Sequence, residues 1–250
     1  MNITTFSSAS SKEIENRNRA AQAFRNCPIP DNEVLSNSSI FLKRQELTKI
    51  LFFDDLYKNH VLGHHGVLLE LGVRWGRNMV LWNNLRGLYE PFNHHRKIIG
   101  FDTFEGFPSV DAKDGNHDIV KAGGLNVTAG FEEYLGDLLS YHESECPLSH
   151  ISKNTIIKGD AVVELKKYLD AHPETTLAMV WFDFDIYQPT RDCLEILKPY
   201  ISKGTVLGFD ELCDPTFPGE TIALREVFGL NTIEIQRNRY SGAQSYIIAE

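Results

Sequence analysis

Acidic residues stand at the ends of several short apolar runs, and their positions predict a ligand site. The runs cover residues 66–73, 97–102, 154–158, 177–183 and 204–210. If they are parallel strands, the acids converge on one edge of a sheet, where open α/β sheets bind their ligands. The acids concerned are Glu70, Asp102, Asp160, Asp183, Asp185, Asp210 and Glu211.

The first run continues as Glu-Leu-Gly-Val-Arg-Trp-Gly over residues 70–76. Gly72 and Gly76 allow a tight turn and a close approach of the backbone to a ligand. The spacing differs from the GxGxxG of dinucleotide folds, in which a pyrophosphate meets a helix N-terminus. Glu70 instead suits the cationic amino-acid part of S-adenosylmethionine. The pattern also arises by chance, so its interpretation depends on the other strand ends.

The next two strand ends suit the rest of that cofactor. Asp102 can accept hydrogen bonds from both hydroxyls of a ribose, and we assign the adjacent Thr103 to the same site. Helix capping or loop solvation is the alternative for Asp102. Gly159 and Asp160 follow the third run, where the adenine edge would lie. Asp160 is equally suited to be the N-cap of a helix over 161–169.

The fourth and fifth strand ends bring four carboxylates together: Asp183, Asp185, Asp210 and Glu211. Converging carboxylates are costly unless they are protonated or neutralised by a cation. Oxygen ligands of this kind indicate an octahedral Mg²⁺-type site. Ordinary solvated loop acids are the alternative.

The apolar runs and the segments between them predict the fold that positions these acids. Near-continuous apolar runs are typical of parallel strands that are covered on both faces. Helical patterns lie between several of them, which predicts right-handed crossovers and a doubly wound α/β sheet. Residues 232–250 form two further strand patterns around a Ser-Gly turn at 241–242, which predicts a C-terminal antiparallel hairpin.

Two segments lie outside this alternation. Residues 1–60 are predicted to be an N-terminal helical arm, broken at 27–30 by Cys-Pro-Ile-Pro, that packs on a domain of residues 61–250. The alternative is that part of the arm roofs the active site or forms a dimer contact.

Residues 103–135 lack a clear period and contain five glycines. Such a segment is typical of a lid or binding loop, with a disordered surface insertion as the alternative.

Composition narrows the class of protein. The chain has 250 residues, 42% of them hydrophobic, and a formal net charge of −9. The acidic balance disfavours a nucleic-acid partner. Four scattered cysteines without a CxxC pair indicate reduced thiols. The first fifteen residues are polar, and no apolar run approaches the ~20 residues that span a bilayer. We therefore expect a cytoplasmic protein without a membrane partner; homo-oligomerisation is left open.

Four stretches together resemble the macrocin O-methyltransferase type of class I methyltransferases. They are GVLLELGVRWGRN, IIGFDTFEGFP, WFDFDIYQPT and GTVLGFDEL, and the resemblance runs from about residue 40 to the C-terminus. It implies a Rossmann-like, mostly parallel seven-stranded sheet with a reversed terminal strand. It also implies S-adenosylmethionine as cofactor and the hydroxyl of a sugar, nucleotide sugar or glycan precursor as acceptor.

The resemblance also implies roles for particular acids. The cofactor carboxylates of the family match Glu70 and Asp102, and Asp183 lies at the same site. Its metal ligands correspond to one aspartate of the Asp183/Asp185 pair and to the acidic pair at 210–211. We expect Asp183, Asp210 and Glu211 to hold Mg²⁺ or Mn²⁺, with Asp185 as a neighbouring ligand or the proton acceptor. The family usually has two aspartates where this chain has Asp210 and Glu211. The longer Glu211 changes the coordination sphere or gives this residue another role.

Three interpretations of the function follow. The first is a metal-assisted O-methyltransferase in which Asp183 and Asp185 act in catalysis. The second keeps the fold and cofactor but uses Asp185, or one of the histidines His117 and His142 in or near the lid, as a base without metal. The third is a cofactor-binding protein that has lost catalysis and serves as an assembly partner. Acids at all the expected strand ends argue against the third.

Overall fold

A computed structural model describes residues 9–250 of the chain. It contains two compact units, one ending at Leu51 and one spanning Phe52–Glu250. The first contains α1 (Ser11–Arg25) and the short α2 (Asp31–Val34), and α3 (Arg44–Leu56) spans the boundary at Leu51. The predicted helical content and the break at 27–30 are thus confirmed. The division of the chain into an arm of residues 1–60 and a domain of residues 61–250 stays a prediction.

The second unit alternates strands and helices. The strands are β1 (Val67–Leu71), β2 (Ile98–Asp102), β3 (Asn154–Lys158), β4 (Leu177–Phe182), β5 (Val206–Phe209), β6 (Gln236–Arg237) and β7 (Ser245–Ile248). The helices are α4 (Arg77–Tyr89), α5 (Phe131–Ser144), α6 (Ala161–Ala171), α7 (Tyr187–Leu197) and α8 (Gly219–Phe228). Each of the five apolar runs contains one strand, as the sequence predicted.

The seven strands form one sheet in the order β3-β2-β1-β4-β5-β7-β6. The first five are parallel, β7 runs antiparallel to β5, and β6 runs antiparallel to β7. The chain order reverses direction at β1, so the carboxyl ends of β1 and β4 flank the crevice at which such sheets bind ligands. The predicted Rossmann-like sheet with its C-terminal hairpin is confirmed.

Burial explains why the central strands are apolar throughout. All six residues of β4 are buried, because helices cover both faces of the sheet. One apolar cluster lies on the side of α6, α7 and α8, and the other includes Trp82 of α4 and Leu135 of α5. Among residues 9–250, no helix has the length and apolar character needed to span a bilayer.

The segment between β2 and α5 is mostly irregular but is anchored at several points. The backbone of Phe107 pairs with that of Gly123 and Gly124, which closes the base of a loop. The buried carboxylate of Asp114 accepts a hydrogen bond from the backbone N–H of Tyr187 at 2.5 Å. Residues 131–135, the end of the predicted lid, form the start of α5.

Candidate active site

Glu70 lies near the carboxyl end of β1, where only 1% of the residue is exposed. Its Oε1 accepts a hydrogen bond from Asn78 Nδ2 at 2.8 Å. Asn78 occupies the first turn of α4 and is 3% exposed. Its Nδ2 also lies 3.5 Å from Oδ2 of Asp183, at the end of β4. Asn78 therefore connects the acids at two neighbouring strand ends. We did not predict it from the sequence, which marks it only as a polar residue at a helix start.

The two glycines of the first loop are required by close packing. Gly72 has φ +97°, and a Cβ there would lie 2.1 Å from the backbone oxygen of Asp183. Gly76 has φ +71° and is the N-cap of α4, where a Cβ would meet the side chain of Leu135. Both positions need the left-handed backbone that glycine adopts readily. The loop can therefore bend back over the ends of β1 and β4.

Asp102 holds that loop in place. Its Oδ2 accepts hydrogen bonds from the backbone N–H groups of Val73 and Arg74, both at 2.7 Å. Its Oδ1 accepts one from the N–H of Phe104 at 2.6 Å. An ionised carboxylate has about four lone-pair sites, so this arrangement leaves capacity for a ligand hydroxyl. The adjacent Thr103 donates its hydroxyl to the carbonyl of Gly106 at 2.8 Å.

Gly159 and Asp160 follow β3 as expected. Gly159, at φ +149°, donates its N–H to the carbonyl of Asp102 at 2.9 Å. Asp160 is the N-cap of α6, and its side chain accepts from the N–H groups of Val162 and Val163. The capping interpretation of Asp160 is thus confirmed, while its contact with a cofactor stays a prediction.

Three acids meet where β4 and β5 end. One ligand oxygen from each of Asp183, Asp185 and Glu211 lies within 4.8 Å of the others. Asp185 is 7% exposed and has φ +62°, a conformation that is uncommon for a residue with a side chain and is often found at functional sites. We call these three residues the acid cluster.

Asp210, the first acid after β5, has a partner in the C-terminal region. Its Oδ1 accepts a hydrogen bond from Nε2 of Gln244 at 3.0 Å, so a residue of the C-terminal hairpin region contacts the end of β5. Asp210 is not among the three acids of the geometric cluster, and its role as a metal ligand stays a prediction.

Glu220 supports the acid cluster from α8 and was not predicted from the sequence. Its side chain is fully buried, at 0% exposure. One oxygen accepts the backbone N–H of Asp185 and the other that of Glu211, both at 3.3 Å. Glu220 thus connects the two loops that carry the cluster. A lone acid in the first turn of an amphipathic helix was the only available signal, and helix N-termini commonly carry such acids.

Burial and mutual repulsion make it unfavourable for these carboxylates to be ionised together without a neutralising charge. Burial raises the pKa of both Glu211 and Glu220 well above the usual range, and the nearby charge of Asp185 raises each of them further. Oε2 of Glu211 is buried and has no hydrogen-bond partner among residues 9–250. A carboxylate in this position requires a proton or a cation.

Of the two histidines considered as bases, His142 is placed elsewhere. His142 lies in the last turn of α5. Because a crossover helix runs back from the carboxyl edge of a parallel sheet, that turn lies toward the amino edge, away from the strand ends described above. His117 accepts a hydrogen bond at Nδ1 from the N–H of Ile119 at 3.3 Å, within the loop that precedes α5. The geometry therefore favours Asp185 over His142.

No protein-family model matches the chain, and no curated protein sequence does. Among solved structures, one of CalS11, a calicheamicin methyltransferase, has 37% identity and a TM-score of 0.93, covering 99% of this chain and 96% of that one. A second, apo structure of CalS11 is described as a TDP-rhamnose 3′-O-methyltransferase. It has 34% identity and a TM-score of 0.84 and covers 99% of both chains.

A third similar structure supports the fold alone. The O-methyltransferase NovP has 20% identity and a TM-score of 0.53, covering 82% of this chain and 78% of that one. The similarity to CalS11, by contrast, extends over almost the whole chain at more than 30% identity. This chain therefore belongs to the S-adenosylmethionine-dependent O-methyltransferases of class I, of the macrocin O-methyltransferase type.

Proposed function

We propose that this enzyme methylates a hydroxyl of a sugar carried on a nucleotide, with a divalent cation, Mg²⁺ or Mn²⁺, held by the acid cluster. A bound cation is supported by the convergence of Asp183, Asp185 and Glu211, since one carboxylate oxygen from each lies within 4.8 Å of the others. The acceptor class is supported by CalS11, which is described as acting on TDP-rhamnose and is similar to this chain over 99% of its length.

The donor set of the cluster fits a hard cation. All three ligand atoms are carboxylate oxygens, the kind that Mg²⁺ and Mn²⁺ prefer. The buried Oε2 of Glu211, which has no partner among the described residues, is suited to a cation. Asp210, bonded to Gln244, would act on the cluster through its charge.

The first three strand ends would hold the cofactor. Glu70 and the start of α4 suit its zwitterionic amino-acid part, because the acid attracts an ammonium and a helix N-terminus attracts a carboxylate. Gly72 and Gly76 leave space for its close approach. Asp102 would accept the ribose hydroxyls. Thr103, Gly159 and Asp160 would then border the nucleoside; Asp183 connects this part with the acid cluster.

When bound, S-adenosylmethionine would supply a sulfonium methyl group that an oxygen nucleophile can accept, with S-adenosylhomocysteine as the leaving thioether. The residues of this chain would align the acceptor hydroxyl and accept its proton. Asp185 is the proposed proton acceptor, since it is a carboxylate of the acid cluster with a constrained backbone. A cation held by the acid cluster would lower the pKa of the hydroxyl, so that a weak base suffices. Alignment would provide much of the remaining acceleration.

Methyl transfer from labelled S-adenosylmethionine tests this function. TDP-rhamnose, other nucleotide sugars and the free sugars should be compared as acceptors. We expect transfer to a nucleotide sugar, loss of activity on exhaustive chelation, and recovery with Mn²⁺ or Mg²⁺. Activity that survives chelation would leave Asp185 as a base without metal. Transfer only to acceptors without a sugar would contradict the proposed substrate class.

The segment 103–135 is proposed to close over the bound ligands. It follows Asp102 directly and contains long exposed stretches around its buried anchors. Closure would exclude water from the reacting groups. Limited proteolysis with and without S-adenosylhomocysteine and acceptor tests it. Cleavage at the same rate in both conditions would contradict a closing lid.

A further inference from the structure

The side-chain amide of Asn78 has an NH₂ group that is hydrogen-bonded within the protein and a carbonyl oxygen that, among the described residues, is not. Its Nδ2 donates to Glu70 at 2.8 Å and lies 3.5 Å from Asp183. Both neighbours are carboxylates, which accept hydrogen bonds when ionised, so the NH₂ group must face them. This fixes the orientation of the amide, and Oδ1 necessarily points the other way.

Oδ1 of Asn78 is buried and has no hydrogen-bond donor among residues 9–250. Buried polar atoms in folded proteins are nearly always paired, and those that are not call for an explanation. The carboxylates of Glu70 and Asp183 make the surroundings of Asn78 negative. The donor that suits such a place is a cation with several N–H groups.

We propose that Asn78 is a further cofactor-binding residue, whose Oδ1 accepts a hydrogen bond from the α-ammonium of S-adenosylmethionine. Its Nδ2 at the same time keeps the carboxylate of Glu70 turned toward that ammonium. This inference rests on the proposed placement of the amino-acid part of the cofactor beside Glu70. It adds a neutral acceptor to that site and connects it directly to Asp183 of the acid cluster.

The role has a specific consequence for binding. An ammonium bound by Glu70 alone gains charge attraction, whereas Asn78 adds a directional bond and prevents Glu70 from rotating away. Loss of Asn78 should therefore weaken only ligands that carry the amino group. Ligands that share the adenosine part but lack the amino acid should be unaffected.

Calorimetry with two ligands tests this. S-adenosylhomocysteine carries the α-ammonium, and 5′-methylthioadenosine lacks the whole amino-acid part. For Asn78→Ala we expect S-adenosylhomocysteine to bind at least about tenfold more weakly and 5′-methylthioadenosine to stay within about twofold of wild type. Asn83→Ala is the matched control, because Asn83 is also buried on α4 but accepts from Arg86 and Asn154. It should leave both affinities near wild type.

The outcomes separate this inference from the function on which it rests. Unchanged binding of S-adenosylhomocysteine by Asn78→Ala would overturn the role of Asn78 alone. Equal weakening of both ligands would do the same, since it would indicate a general disturbance of the site. If the wild-type protein bound neither ligand, the proposed cofactor site itself would be wrong. Should Asn78→Ala fail to fold, Asn78→Ser and the desamino analogue of S-adenosylhomocysteine on wild-type protein provide the same comparison.

Discussion

Two groups of carboxylates occupy the same edge of the sheet but are stabilised in opposite ways. On the side of β1 and β2, Asp102 accepts three backbone N–H groups, and Glu70 accepts the amide of Asn78. On the side of β4 and β5, Glu211 retains a buried oxygen without a partner among the described residues, and its pKa is raised. Hydrogen bonds from the protein thus organise Asp102 before any ligand binds, whereas Glu211 depends on a proton or a cation.

We expect this difference to separate cofactor binding from catalysis. The cofactor side should bind S-adenosylhomocysteine with or without metal. The acid cluster should determine the rate and the response to chelation. Each of the following experiments tests whether the two sides are independent.

The largest effect is expected for Asp185→Asn. The substitution keeps the shape of the side chain but removes a ligand charge and the proposed proton acceptor. We expect kcat to fall by at least about 100-fold, while the affinity for S-adenosylhomocysteine stays within about twofold. Steady-state kinetics and calorimetry measure the two quantities. Asp170→Asn, an exposed site on α6, is the control. A variant that keeps most of its turnover would remove Asp185 from the chemistry.

On the cofactor side, Asp102→Ala should weaken the binding of S-adenosylhomocysteine by about 10- to 100-fold. The loss has two causes: ribose hydroxyls lose an acceptor, and the N–H groups of Val73 and Arg74 lose the partner that holds the glycine loop. Calorimetry with and without Mn²⁺ measures it, with Asp137→Ala on the surface of α5 as control. If affinity is unchanged, neither role holds.

Affinity for Mn²⁺ should distinguish the acid cluster from the neighbouring Asp210. We expect Glu211→Gln to weaken Mn²⁺ binding by about tenfold or more, and Asp210→Asn by only about threefold. The reason is that Asp210 Oδ1 already accepts a hydrogen bond from Gln244, whereas Oε2 of Glu211 has no such partner among the described residues. Electron paramagnetic resonance of free Mn²⁺ gives both values. The reverse order would restore Asp210 as the main ligand.

The smallest effect is expected for the pH dependence of the free energy of unfolding. Because the folded pKa values of Glu211 and Glu220 are raised above the usual value for Glu, the folded state binds more protons than the unfolded state above that value. The stability they contribute is present at lower pH and is lost as pH rises toward their folded pKa values.

The free energy of unfolding of the metal-free protein should therefore fall as pH rises above about 4.5. Each kcal/mol lost should lower Tm by roughly 2–4 °C. Mn²⁺ should restore Tm most strongly at the high end of that range, because it binds the ionised acids. Glu220→Gln should flatten the pH dependence. Calorimetric Tm values that are independent of both pH and metal would show that ionisation of Glu211 and Glu220 does not destabilise the folded protein.

Much of the fold could be predicted from local patterns in the sequence. The apolar runs that became β1 to β5 are near-continuous, because strands buried on both faces have no place for polar residues. The Ser-Gly turn indicated the hairpin of β6 and β7, and the position of Asp160 before an amphipathic segment indicated an N-cap. These signals are local, since each depends on residues close together in the chain.

The composition of the site was decided by tertiary structure. The sequence placed Asp183, Asp185, Asp210 and Glu211 at two strand ends, but it could not show which side chains turn toward each other. The directions of these side chains depend on the left-handed backbone of Asp185 and on the hydrogen bond from Gln244 to Asp210. Asn78 and Glu220 were missed because their partners lie on other elements. The sequence by itself determined which acids reach the carboxyl edge of the sheet, because strand periodicity is local. The tertiary structure decided which of them form the acid cluster, because side-chain direction after a strand depends on contacts between residues that are distant in the chain.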